Sequence, residues 1–153
     1  MTIKHVTTYA RPGNFVFPDP NDWNADHVFP PMSHVLNGTN ITWTNMPLAA
    51  QELLNVVHRR IKLDLTNVAQ VRFACRVSTV GVAAAVLYLE YSTDESVWNR
   101  LTANIAINTT GTKVTAWENI PAGAKADVVV RIMGSGGDGA ADPIFGLMAL
   151  QVR

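Results

Sequence analysis

From residue 56 to the C-terminus, apolar side chains recur at every second position. Ile61, Leu63 and Leu65 alternate with Arg60, Lys62 and Asp64, and Val71, Phe73, Cys75 and Val77 alternate with Arg72, Ala74, Arg76 and Ser78. Leu87, Leu89 and Tyr91 interleave with Tyr88, Glu90 and Ser92, and Val128, Val130 and Ile132 with Val129, Arg131 and Met133. A period of two turns one set of side chains toward a core and the other toward the opposite face of a strand. Shorter candidates lie at 97–101, 103–108, 113–118 and 144–152. Between them come turn-forming runs such as Ser92-Thr-Asp-Glu-Ser96, Asn108-Thr-Thr-Gly111 and Pro121-Ala-Gly123. Seven to nine short strands with no helices between them predict an all-β fold, an antiparallel jelly-roll-like β-sandwich.

The first third of the chain reads differently. Six of the eight prolines (Pro12, Pro18, Pro20, Pro30, Pro31 and Pro47) fall there, with Phe15, Phe17, Trp23 and Phe29 among them. Each proline fixes φ, removes a hydrogen-bond donor and extends the residue before it. Residues 1–47 therefore predict an extended, Pro-rich N-terminal arm, followed by a β-sandwich domain at 48–153. Within the arm, Ile3 to Tyr9 and Ile41 to Thr44 can each supply a short strand. Such an apolar arm needs a surface to lie on, so Phe15, Phe17, Trp23 and Phe29 are its candidate partner-binding residues. From Pro47 to Asn55 the spacing turns helical, enough for one or two turns.

The chain has 153 residues, 48% of them hydrophobic, which suffices for one core without disulfide or metal staples. Charged residues make up only 16%, below the usual quarter or so, and charge-poor surface is what interface centres require. Twelve basic residues balance twelve acidic ones, leaving no cationic excess to track nucleic-acid phosphates. The single local basic cluster, Arg59, Arg60 and Lys62, is expected on the solvent side of a strand. No apolar run approaches the ~20 residues of a membrane helix, and the N-terminus lacks a signal-peptide pattern. The expectation is a chain made and used without export, with no membrane partner.

Reactive residues do not assemble into a catalytic pattern. Cys75, the sole cysteine, lies in phase with Val71, Phe73 and Val77 and reads as a small core residue. Gly134-Ser-Gly-Gly-Asp-Gly139 satisfies GxGxxG, but Pro143 and another strand follow where a dinucleotide site needs a helix. In the same loop Asp138 and Asp142 form a candidate site: they offer oxygen ligands of the kind calcium takes, or they hydrogen-bond the loop's own amides. The expectation for metal and cofactor is none. His5, His27, His34 and His58 form no HxH or HExxH set, and no GxSxG elbow or Walker motif occurs. Glycoside hydrolysis needs two carboxylates facing each other; distant pairs such as Glu90 and Glu118 could converge, but nothing in their spacing brings them together. No catalytic residue is assigned, and the expectation is that the protein is not an enzyme. Trp98 and Trp117 are expected in a core or interface rather than stacked on a sugar, and Trp23 at a neighbouring subunit.

The run Val86-Leu-Tyr-Leu-Glu-Tyr-Ser-Thr-Asp-Glu-Ser-Val-Trp98 resembles a segment of small β-sandwich virion proteins of tailed bacteriophages, where a strand ending in Tyr-Ser-Thr-Asp precedes a turn and a tryptophan. Gly137-Asp-Gly-Ala-Ala-Asp-Pro-Ile-Phe-Gly146 is similar to the same group. The resemblance covers roughly residues 60–153 and leaves out the arm. It implies a head decoration or auxiliary protein, a structural virion component that binds the major capsid protein and stabilises the head shell. It further implies a homotrimer clamped by terminal arms on the head surface and assembled in the host cytoplasm. The competing expectation is a carbohydrate-binding module or tail-fibre domain with an aromatic platform and a carbohydrate partner.

Overall fold

The computed structural model describes residues 32–56 and 58–153; Phe15, Phe17, Trp23 and Phe29, together with the strand expected over Ile3 to Tyr9, lie outside them. The described strands are β1 (Met32–Asn37), β2 (Ile41–Thr42), β3 (Gln51–Glu52), β4 (Arg60–Asp64), β5 (Gln70–Thr79) and β6 (Val86–Ser92). They continue with β7 (Asn99–Arg100), β8 (Ile105–Ala106), β9 (Gly111–Val114), β10 (Glu118–Asn119), β11 (Asp127–Ser135) and β12 (Ile144–Val152). The four long alternating runs of the sequence are β4, β5, β6 and β11.

All pairings are antiparallel, and they build two sheets. In sheet one the order is β1-β12-β5-β10, with β2 also on β12 and β9 also on β5; in sheet two it is β3-β11-β6-β7, with β4 also on β11 and β8 also on β6. Each edge position is therefore filled by two short strands in succession. With each such pair counted as one strand, the spatial orders become 1-8-3-6 and 2-7-4-5. This is the double Greek key of a jelly roll. The central strands run seven to ten residues and the edge strands only two to six, so little open ladder is left for unintended strand pairing.

The inward set of each alternation meets between the sheets. Phe73, Phe145, Leu36, Leu65, Leu87, Leu89, Ile132, Met148 and Leu150 are fully buried there. Cys75 is among them, 1% exposed, and burial pushes its thiol up to about 12. A thiol that stays protonated and sealed from solvent is a packing group, not a nucleophile.

Residues 32–47, read from sequence as part of the arm, supply β1 and β2 to sheet one. The helical spacing after Pro47 is not realised, and no α-helix occurs among the described residues. Gln51 and Glu52 instead pair with Gly134 and Met133 on β11, and the Leu53 amide donates to the Ile132 carbonyl at 2.9 Å. An isolated helical turn nucleates poorly, whereas a strand there gains a ready-made partner and buries Leu53 in the core.

Candidate interaction surfaces

Because Leu89, Val130 and Ile132 face the core, the residues between them face out from sheet two. The strand register sets Arg60, Arg131, Glu90 and Arg100 side by side across β4, β11, β6 and β7. Arg131 donates to Glu90 at 2.7 Å and stands 3.5 Å from Glu52. Arg60 bridges Glu52 at 2.8 Å and Glu95 at 3.0 Å, and Arg59 reaches Glu52 at 3.1 Å. The Glu52 side chain is 9% exposed. Burial raises its pKa, but hydrogen bonds and charge from Arg60 and Arg59 outweigh this and hold it below the ordinary value. The Glu52 hydrogen bond in turn drives Arg60 higher.

Trp98 lies against this network. Its ring centroid is 3.9 Å from the Arg131 guanidinium and 5.2 Å from that of Arg60, and its Nε1 donates to the Glu95 carbonyl at 3.2 Å. Arg100 sits 3.2 Å over the Tyr88 ring and donates to Asn104 at 2.9 Å. Guanidinium groups thus occupy ring faces that a sugar platform would need.

The loop from β6 to β7 is the hairpin expected from Ser92-Thr-Asp-Glu-Ser96. The Asp94 carboxylate accepts from the Ser96 hydroxyl at 2.7 Å, the Ser96 amide at 2.9 Å, the Val97 amide at 3.1 Å and the Ser92 hydroxyl at 3.0 Å. These bonds hold its pKa well below the usual carboxylate range. Beside the hairpin lies an open groove of about 560 Å³, with Lys62, Asp64, Asp94, Glu95 and Asp127 among its lining residues. Asp64 and Asp127 face each other in register there.

The outer face of sheet one has a different character. Val35, Ala149, Ala74 and Val114 form an apolar row across β1, β12, β5 and β9. Val35 and Val114 are each 47% exposed, and nearby Leu147 is 49% exposed. Arg72, Arg76 and Arg153 flank the row. Arg72 donates to Gln151 at 2.6 Å and Arg153 to Gln70 at 2.7 Å; both lie over Trp117, 4.4 and 4.5 Å from its centroid. Among the described residues none of these three arginines meets a carboxylate within 4.0 Å. Trp98 and Trp117 are therefore half-buried surface residues under arginines, whereas Trp43 is the tryptophan of the core.

The glycine-rich loop is closed to phosphate. The amides of Gly136, Gly137 and Gly139 donate to the carbonyls of Leu48, Pro47 and Met46 at 2.9, 3.0 and 2.9 Å, so the donors that would cradle a pyrophosphate are taken. A side chain at Gly137 would run into the Met46 carbonyl, and one at Gly134 into the Trp43 ring; close backbone approach accounts for both glycines. Asp138 accepts from the amides of Ala140 and Ala141 at 2.9 and 2.8 Å, and these bonds lower its pKa. Asp142 accepts from the Asn45 amide at 2.7 Å. Among the described residues, no group of three or more His, Cys, Asp or Glu side chains is placed to hold a metal ion. Glu90 belongs to sheet two, while Glu118 sits on β10 of sheet one and accepts from the Ala103 amide at 2.8 Å.

Glu52 and Arg131 do not stand out in the sequence. They meet across 79 positions, and Glu52 falls in the segment whose spacing looks helical. The legible signal is the unusual placement of Arg131 and Glu90 at the outward phase of otherwise apolar strands.

No protein-family model and no curated protein matches the chain. Among solved structures, the chain is similar to part of one described as the structure of infectious bursal disease virus, Gx strain. The TM-score is 0.41 at 11% identity over 84% of this chain. This chain spans 33% of the length of that one.

Proposed function

We propose that this protein is a non-enzymatic structural component of a virus particle, of the head decoration type. In this reading it binds the major capsid protein on the head surface as a homotrimer, after assembly in the host cytoplasm. The N-terminal arm, with Phe15, Phe17, Trp23 and Phe29, makes the attachment. One observation carries the reading: the polar groups most suggestive of chemistry are engaged internally, while Val35 and Val114 stay about half exposed on the outer face of sheet one. The Gly136, Gly137 and Gly139 amides, the Asp94 and Asp138 carboxylates and the Glu52 network all serve the fold. A scaffold of this kind offers surfaces to partners. The resemblance of Val86–Trp98 to phage virion proteins and the Pro-rich, aromatic arm point the same way, since prolines reduce the entropy lost when an arm orders on its partner.

Removing residues 1–30 stops short of β1 at Met32 and tests the arm directly. The truncated protein is expected to keep its sheet signal in circular dichroism and to lose co-sedimentation with purified heads. Undiminished co-sedimentation would remove the arm from the attachment.

A further inference from the structure

We infer that the outer face of sheet one docks a second copy of this chain, head to tail, against the acidic groove on sheet two of the neighbour. The inference rests on the oligomeric reading above and names its surfaces. On one side stand Arg72, Arg76 and Arg153, hydrogen-bonded at most to neutral Gln70 and Gln151, around the row Val35, Ala149, Ala74 and Val114. Cations left without carboxylates among the described residues, bordering exposed valines, match the arginine-rich, otherwise charge-poor make-up of interface centres.

On the other side, the groove brings four carboxylates, Asp64, Asp94, Glu95 and Asp127, together with one cation, Lys62. Asp64 and Asp127 sit directly opposite each other on β4 and β11, an arrangement that is unfavourable unless positive charge is nearby. Glu95 is already bridged to Arg60 and Asp94 is held by neutral groups of its own hairpin, so Asp64 and Asp127, with Lys62 as the cation beside them, are the carboxylates the groove offers to a partner. The acidic groove of one molecule and the arginine-flanked row of the next carry opposite charge. Complementary patches of this kind steer association and fix its register.

The two patches occupy outward faces of different sheets, so the contact is heterologous. A heterologous contact repeats, closing into a ring or running on as a filament according to the rotation between successive copies. Nucleic acid is the less suitable occupant of the cationic face, because its affinity depends on many phosphate contacts and an apolar row separates the arginines here.

Charge-swap variants of the full chain test this by size exclusion with light scattering. Wild type is expected as an oligomer that falls to the monomer mass as salt is raised. The pair Arg72→Glu and Arg76→Glu, and separately the pair Asp64→Lys and Asp127→Lys, should each give monomers with unchanged circular dichroism. All four substitutions together should restore the oligomer. Val35→Asp with Val114→Asp, at exposed positions that leave the core intact, should also give monomers. An oligomer that survives every one of these changes would overturn the docking surfaces while leaving oligomerisation standing. A wild type that stays monomeric at all concentrations would overturn both. Binding of a single-stranded oligonucleotide that is abolished by Arg72→Glu and Arg76→Glu, without any effect on mass, would reassign the face to nucleic acid.

Discussion

The two sheets of this jelly roll carry matching rows of four outward residues, and the rows are built from opposite materials. On sheet two, Arg60, Arg131, Glu90 and Arg100 cross four strands; Arg131 pairs with Glu90 and Glu52, Arg60 with Glu52 and Glu95, and Arg100 lies over the Tyr88 ring. On sheet one, Val35, Ala149, Ala74 and Val114 cross four strands with no charge among them. The Glu52 network on sheet two satisfies its own charges and lays an indole over them. Sheet one leaves two valines about half exposed and, among the described residues, its arginines without carboxylates. A self-satisfied face stabilises the folded chain, whereas an unsatisfied one gains most from a partner. The same strand geometry supports both, because the outward phase of a strand is free of the core's packing constraints.

The largest expected break in the comparison comes from Glu52→Ala. Its side chain is nearly covered and is shared among Arg59, Arg60 and Arg131, so its loss leaves cations facing one another. Stability should fall by about 2 kcal/mol, read from the midpoint of urea unfolding. Arg76→Ala on sheet one, which has no ion pair among the described residues, should change the same midpoint by less than about 0.5 kcal/mol. Equal effects at the two positions would erase the distinction between the faces.

Acidity sharpens the contrast. Glu52 is held below its ordinary value of 4.5 in the folded protein, so between the folded and unfolded values the unfolded state binds more protons. Its contribution is therefore complete above pH 4.5 and is lost as pH falls through the lower folded value. Unfolding midpoints measured from pH 6 to pH 3 should decline for wild type and decline less steeply for Glu52→Gln. Identical slopes would show that the carboxylate is not held by its arginines.

The smallest effect belongs to the apolar row. Val35→Ser with Val114→Ser removes methyl groups that are already half in water, so at concentrations low enough to keep the chain monomeric, stability should change by less than about 0.5 kcal/mol. A loss of several kcal/mol would mean that these side chains are packed as tightly as the core.

Much of the sandwich was legible from residues alone. The alternation through Val71, Phe73, Cys75 and Val77 names the inward face of β5, and the same holds for β4, β6 and β11. The hairpin at Ser92–Ser96 is readable because Asp and Ser caps occupy its turn positions. The segment from Pro47 to Asn55 misleads, because a few residues at helical spacing are outweighed by a strand partner that lies some eighty positions away. The interaction faces are also hidden in the linear order: Val35 and Val114 become neighbours of one row only through β12 and β5.

The sequence by itself determined that the chain would be β-structured, which side of each long strand would be buried, and that its cysteine would be a packing group. Those properties follow from local backbone periodicity and burial, which act within a few residues. Only the tertiary structure decided the strand order, the sharing of Glu52 among three arginines, and the separation of charged from apolar rows on two faces. These depend on register between strands distant in sequence, and register is set by how the whole core closes rather than by any one segment.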